Sequence, residues 1–396
     1  MRVTSSYVTC ASFAAVSVIC ISSLIIGGEW YIIIAEVIII DNIKVLQPQK
    51  AAAFLAGRLE RLGRDENEYI SKLAERLGYH LLALEQAAAY IQVTGISCQA
   101  YLGLLEKHGL RATDQSGAQD HGFSTILSAT MQISFKKIKL KSAKQLLCLC
   151  AYFAPEGIPL SMLIHGRDDC PGSLRKALTN EAKLDAAIFE LTKYSLLRRQ
   201  GKLLYIDPLL QEVVCDKLAQ NPLWVCRCLY IASNALDFEV LNLERKDTQL
   251  KTSFPQNMRH IITIANHVEA KLGDYASVKK KRAWLYQMIG LWYYISGQLE
   301  NALEYFEKAL AILGEVLGRD HHETANNNNY IALIYADQGR YLLALELYRK
   351  NYPILLHELG DAHQYIIEMK NAMKATYNKA GLAEPFEQWL ENEFGD

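Results

Sequence analysis

A spacing of 42 residues constrains this chain more than any other feature. Tyr293, Gly297, Ala302 and Phe306 recur as Tyr335, Gly339, Ala344 and Tyr348, each pair 42 residues apart (335 − 293 for the first). The same step carries Leu317-Gly318 to Leu359-Gly360 and runs on to Tyr377 and Gly381. A fixed period of this length marks a stacked repeat, in which one unit cannot bury its apolar face without its neighbours. The residue types predict the geometry within a unit. Ala302 and Ala344 let two antiparallel helices approach closely. Gly297 and Gly339 end the first helix, because glycine takes the left-handed backbone at little cost. The aromatic residues fill the space between helices.

This pattern resembles a tetratricopeptide repeat of the longer kind found in kinesin light chains, where Leu-Gly and Asp-His head the first helix, as Leu317, Gly318, Asp320 and His321 do here. The resemblance covers residues 281–381. The third unit departs from it: Phe386 stands at an alanine position and Lys374 at a small-residue position, as expected of an atypical terminal cap. The resemblance implies a short α-solenoid with a concave face lined by the first helix of each unit, and a protein or peptide partner in that groove. Gln287, Asn329 and Asn371 occupy position five of those helices, again 42 apart. A carboxamide there can clamp a peptide backbone, offering both a donor and an acceptor; local capping or solvation is the alternative. Asn329 closes an asparagine run from Asn326, and asparagine is a poor helix former. His321, His322 and Glu323 fit the repeat heading and need no metal.

The bulk numbers set outer limits. With 396 residues, 51% apolar and 21% charged, the chain suits two to four packed domains. A net charge of −1 exerts no global pull on nucleic acid or anionic membrane. The nine cysteines form no framework. Cys148/Cys150 and Cys226/Cys228 lie in apolar helical stretches without zinc spacing, as reduced core residues of a cytoplasmic protein do.

Residues 1–46 form an apolar N-terminal segment. Val3 to Gly28 carry no charge, and residues 3–27 are long enough to span a bilayer; Arg2 and Glu29 flank them as at a signal anchor. The competing expectation is buried sheet. Trp30 to Ile40 reads as one or two strands split at Ala35-Glu36.

From Gln47 the pattern turns helical, predicting a four-helix bundle over 47–118. Pro48 suits a first turn. Leu81, Leu84, Ala88 and Ile91 share a face, and Ser97 is placed to cap the last helix. The run Leu82-Ala83-Leu84-Glu85-Gln86-Ala87-Ala88 resembles the segment after the nucleotide site of NB-ARC proteins, signalling ATPases of the STAND class. Tyr79-His80-Leu81 stands where that family has Gly-Leu-Pro, and its proline packs on adenine.

Residues 119–218 continue the resemblance as a winged-helix-like module, with a hairpin wing turning at Gln200-Gly201. Asp207 replaces the histidine that in the family senses the ADP phosphate, and a carboxylate repels phosphate. Lys136, Lys137, Lys139, Lys141 and Lys144 read as a solvated helix start, so no nucleic acid is expected. A helical linker over 219–280 contains His260 and His267, ordinary helix histidines.

No G-x-x-x-x-G-K-[ST] phosphate cradle stands anywhere in the sequence. The magnesium acids and the sensor arginine of the resembled family are also missing. No catalytic constellation, cofactor site or metal site is recognisable. The expectation is a mainly α protein: helical bundle, winged-helix module, then tetratricopeptide repeats over 281–396, with minor β at 30–46 and in the wing. It would be a non-enzymatic interaction scaffold derived from a STAND ATPase whose nucleotide domain is lost, residues 29–46 being remnant strands. A residual ADP-binding regulator and a membrane-anchored adaptor are the alternatives. The sequence leaves the oligomeric state open.

Overall fold

The computed structural model describes residues 17–26, 29–40, 43–59, 67–108, 119–155, 157–243, 254–272 and 276–394; for 17–44, 119–123, 237–243, 254–256 and 276–277 it describes the backbone alone. Helices dominate, as the sequence predicts. In chain order they are α1 (Pro48–Arg58), α2 (Asn67–Arg76), α3 (Leu81–Thr94), α4 (Cys98–Lys107), α5 (Gln119–Lys137), α6 (Lys141–Cys150), α7 (Leu160–His165), α8 (Gly172–Leu178) and α9 (Glu181–Thr192). They continue as α10 (Pro208–Lys217), α11 (Leu223–Leu243), α12 (Phe254–Leu272), α13 (Ala276–Ile295), α14 (Leu299–Val316), α15 (His322–Asp337), α16 (Tyr341–Leu359), α17 (Gln364–Ala380) and α18 (Phe386–Phe394). The chain divides into two compact units, residues 1–151 with 180–217, and residues 152–179 with 218–396.

The first unit opens with an antiparallel sheet of β1 (Ser17–Ile26), β2 (Glu29–Ile40) and β3 (Ile43–Val45). One of the two expectations for the N-terminal segment, sheet, fits its described part, whereas the predicted split of the following strand does not hold. The described part of the candidate membrane segment is a strand, Ser17 pairing with Ile38 and Ile26 with Glu29; the rest of that segment lies outside the described residues. The strand Trp30–Ile40 is not split at Ala35-Glu36. Both residues stay in the ladder, opposite Cys20 and Ile19, because a partner strand holds the backbone extended through a polar position. Pairing resumes in β3 after Asp41-Asn42, with Ile40 opposite Ile43. No helix among the described residues is long and apolar enough to cross a membrane.

Helices α1, α4 and α5 pack on α3, and α2 packs on α1 and α4. The burial of α3 exceeds the single predicted face: Leu82 to Leu84 and Gln86 to Ile91 are all buried, because neighbours close on it from several sides. Thr130 on α5 donates to the Gln86 carbonyl at 2.6 Å inside this core. Ser97 caps α4 as predicted, accepting from the Ala100 amide at 3.1 Å. The hairpin Arg198–Gln200 and Leu203–Tyr205 turns at Gly201, whose φ of 60° favours glycine.

In the second unit α7 ends on Gly166 beneath α11. A β-carbon there would lie 2.7 Å from the Ile231 backbone, so only glycine permits this approach. Asn234 on α11 holds the Asp169 carboxylate beside it at 2.5 Å. Helices α11 and α12 pack on one another and on α13, so they belong to the same compact body as the repeats.

Candidate protein-binding surface of the repeats

Three helix pairs form the C-terminal stack: α13 with α14, α15 with α16, and α17 with the short α18. First helices touch directly, α13 on α15 and α15 on α17.

Packing inside each pair follows the 42-residue pattern. Ala302 and Ala344 are fully buried at the crossings, as are Phe306 and Tyr348. Opposite Phe306 stands Gly290, where a β-carbon would meet the ring at 3.0 Å. The position is Ala332 one repeat on and Lys374 in the third. Phe306 also stacks on Tyr330, ring centres 5.0 Å apart. Turns repeat as strictly, with Gly297, Gly339 and Gly381 at φ 74°, 77° and 69°. So do the caps: His321 and His363, 42 apart in sequence, each accept the amide two residues on, at 3.1 and 3.2 Å.

The third pair inverts this scheme. Phe386 occupies the alanine position, Lys374 the small-residue position, and Leu390 the aromatic one. Phe386 is buried and packs against Tyr377 and Trp389. Lys374 is exposed, pairs with Glu387 and lies 5.9 Å from the Phe386 ring centre. A large residue where two helices should close leaves a cavity of about 540 Å³ between α16, α17 and α18. Tyr352, Leu356, Phe386 and Phe394 supply its apolar wall, Lys370 and Asn371 part of its polar rim.

The three candidate clamp residues occupy different environments. Gln287 on α13 is half-buried, Asn329 on α15 is 4% exposed, and Asn371 on α17 is exposed at the cavity rim. Asn329 donates to the Tyr365 hydroxyl at 2.7 Å, and that hydroxyl donates to the Asn326 carbonyl. Asn327 donates to the Phe306 carbonyl at 2.9 Å, and Asn328 reaches Asn351 at 3.5 Å. Successive residues on a helix point about 100° apart. The asparagine run thus sends one amide back to α14, one to its own partner α16 and two forward to α17. No sequence signal marks Tyr365, because its partners lie on another helix.

Ionic and phenolic contacts line the same seam. Lys280 meets Glu323 at 2.7 Å, and the Tyr294 hydroxyl donates to Asp337 at 2.8 Å. Burial, reinforced by that bond to a carboxylate, pushes the Tyr294 phenol up to about 12. Six of the seven described thiols are buried, and burial pushes Cys148 up to about 11 and Cys170 to about 12. His260 and His267 pack against the rings of Phe153 and Tyr152. In the other unit Asp207 caps α10, accepting the Leu209 amide at 3.0 Å. Lys136 meets His108 and Lys144 covers the Phe135 ring.

A tetratricopeptide repeat family matches residues 281–357, and a domain of unknown function, DUF7779, matches residues 133–223. No curated protein matches the chain. The helix pairs α13 to α16 are thus tetratricopeptide repeats, modules that generally bind proteins.

Proposed function

We propose that this chain is a non-enzymatic scaffold that holds a peptide or protein partner along the inner face of α13, α15 and α17. The observation that carries this reading is the direct stacking of the three first helices behind a tetratricopeptide match. Gln287 and Asn371 are the groups at position five with accessible surface, and they supply the paired donor and acceptor that an extended backbone requires. The Asn329 amide is engaged by the Tyr365 hydroxyl. The scaffold works in the cytoplasm, where its buried thiols stay reduced. Its N-terminal half descends from a STAND ATPase without nucleotide function: Asp207, at the position of the phosphate-sensing histidine, is committed to capping α10.

Selection of a random peptide library on the full chain tests the groove. Enriched peptides should bind at micromolar Kd by calorimetry, and Gln287→Ala with Asn371→Ala should weaken them about tenfold, roughly 1.4 kcal/mol. Peptides indifferent to both substitutions would remove the groove from consideration. Saturable ADP binding in a parallel titration would restore the nucleotide reading.

A further inference from the structure

The heading of the second repeat carries more imidazole and carboxylate than its cap requires. One possible ligand atom from each of His321, His322 and Glu323 lies within 4.8 Å of the other two. The end of α16 arrives at the same place, with His322 Nδ1 3.8 Å from a Glu358 carboxylate oxygen. Asp320, His321, His322, His357 and Glu358 line one cavity of about 380 Å³ whose sole apolar lining residue is Ile354. Capping does not explain this concentration. His321 and His363 do the capping in successive repeats, whereas the position after them is His322 in one and Gln364 in the next.

We propose that His321, His322, Glu323 and Glu358 bind a divalent cation of the zinc, nickel and copper class. Imidazole nitrogens combined with carboxylate oxygens suit these ions, whereas magnesium and calcium take oxygen donors. The four donors come from two segments, so the ion joins the start of α15 to the end of α16. The carbonyl end of α16 favours a cation there and opposes the positive end of α15. Two existing contacts must yield. Glu323 exchanges its exposed partner Lys280 for the metal. His321 Nδ1 accepts the Glu323 amide, so the neutral ring carries its proton on Nε2; to ligate through Nε2 it shifts that proton to Nδ1 and gives up the capping bond. His357 and Asp320 stand at the rim as outer groups.

Cobalt(II) titrated into the full-length protein is the test, because its spectrum separates imidazole and carboxylate ligands from thiolates. The expected result is one equivalent bound, weak visible bands without intense near-ultraviolet thiolate charge transfer, and a raised Tm. His322→Ala should weaken binding at least about tenfold. Glu358→Gln, at an exposed position that leaves the fold intact, should weaken it severalfold. No binding at millimolar cobalt, a thiolate-dominated spectrum, or unchanged affinity in both variants would overturn the proposal.

Discussion

In the repeats, each first helix hands over to the next element through glycine: Gly297, Gly339 and Gly381 all hold left-handed backbone. In the unit of residues 1–151 and 180–217 the same conformation falls partly on other residues. After α2 the chain turns through Gly78 at φ 59° and Tyr79 at φ 56°, and Ser195 after α9 has φ 53°. A side chain in this region costs about 1–2 kcal/mol. Long-range bonds hold Tyr79 there: its carbonyl accepts the Leu46 amide at 2.9 Å, and His80 bridges to Val45. Local sequence and backbone agree in the repeats, whereas at Tyr79 tertiary bonding overrides local preference. That is why one region can be read from spacing and the other cannot.

The largest test of this contrast lies in the repeat core. Phe306→Ala should cost about 3–5 kcal/mol, the usual range for emptying a buried aromatic site, read by urea unfolding with tryptophan fluorescence. Phe386→Ala should cost less than half as much, because its site already borders a cavity and alanine restores the repeat pattern. Equal losses would make the third pair as tightly built as the first two.

Next come two substitutions of opposite sign. Gly339→Ala should destabilise by about 1–2 kcal/mol through its φ alone, since nothing lies within 4 Å of the added carbon. Tyr79→Gly should stabilise by about 1 kcal/mol by relieving the left-handed tyrosine. A loss at Tyr79→Gly would mean that the ring contributes more than its backbone costs.

Tyr365→Phe deprives the Asn329 amide and the Asn326 carbonyl of a shared partner. It should cost about 1–2 kcal/mol, seen as a lower urea midpoint and faster amide exchange along α15 and α17. An unchanged midpoint would mean that water replaces the phenol.

The smallest effect is in pH. Burial lowers the affinity of His80 for a proton, and the neighbouring Asp207 opposes this only in part. With the folded value below the unfolded one, stability from the neutral ring is complete above about pH 6.5 and is lost as pH falls toward the folded value. The urea midpoint should therefore drop between pH 7 and pH 5, less so in His80→Asn, which keeps a capping oxygen.

Much of the second unit was legible because its rules are local. The period, the glycine turns, the alanine crossings and the departures at Lys374 and Phe386 all follow from spacing along one chain. Of the candidate surface, only the register of Gln287, Asn329 and Asn371 could be read. The burial of Asn329 depends on Tyr365, 36 residues further on. The unbroken strand through Ala35-Glu36 escaped notice because pairing with β1, not composition, keeps it extended.

The sequence by itself determined the helical class, the repeat step and where each turn falls, since backbone preferences and helix periodicity act over a few residues. The tertiary structure alone decided which helix each asparagine of the run addresses and that inverted side-chain sizes open a cavity beside α18. It also brought His322 against Glu358. Those outcomes depend on which faces meet when helices stack, and packing sets that at distances the local pattern does not encode.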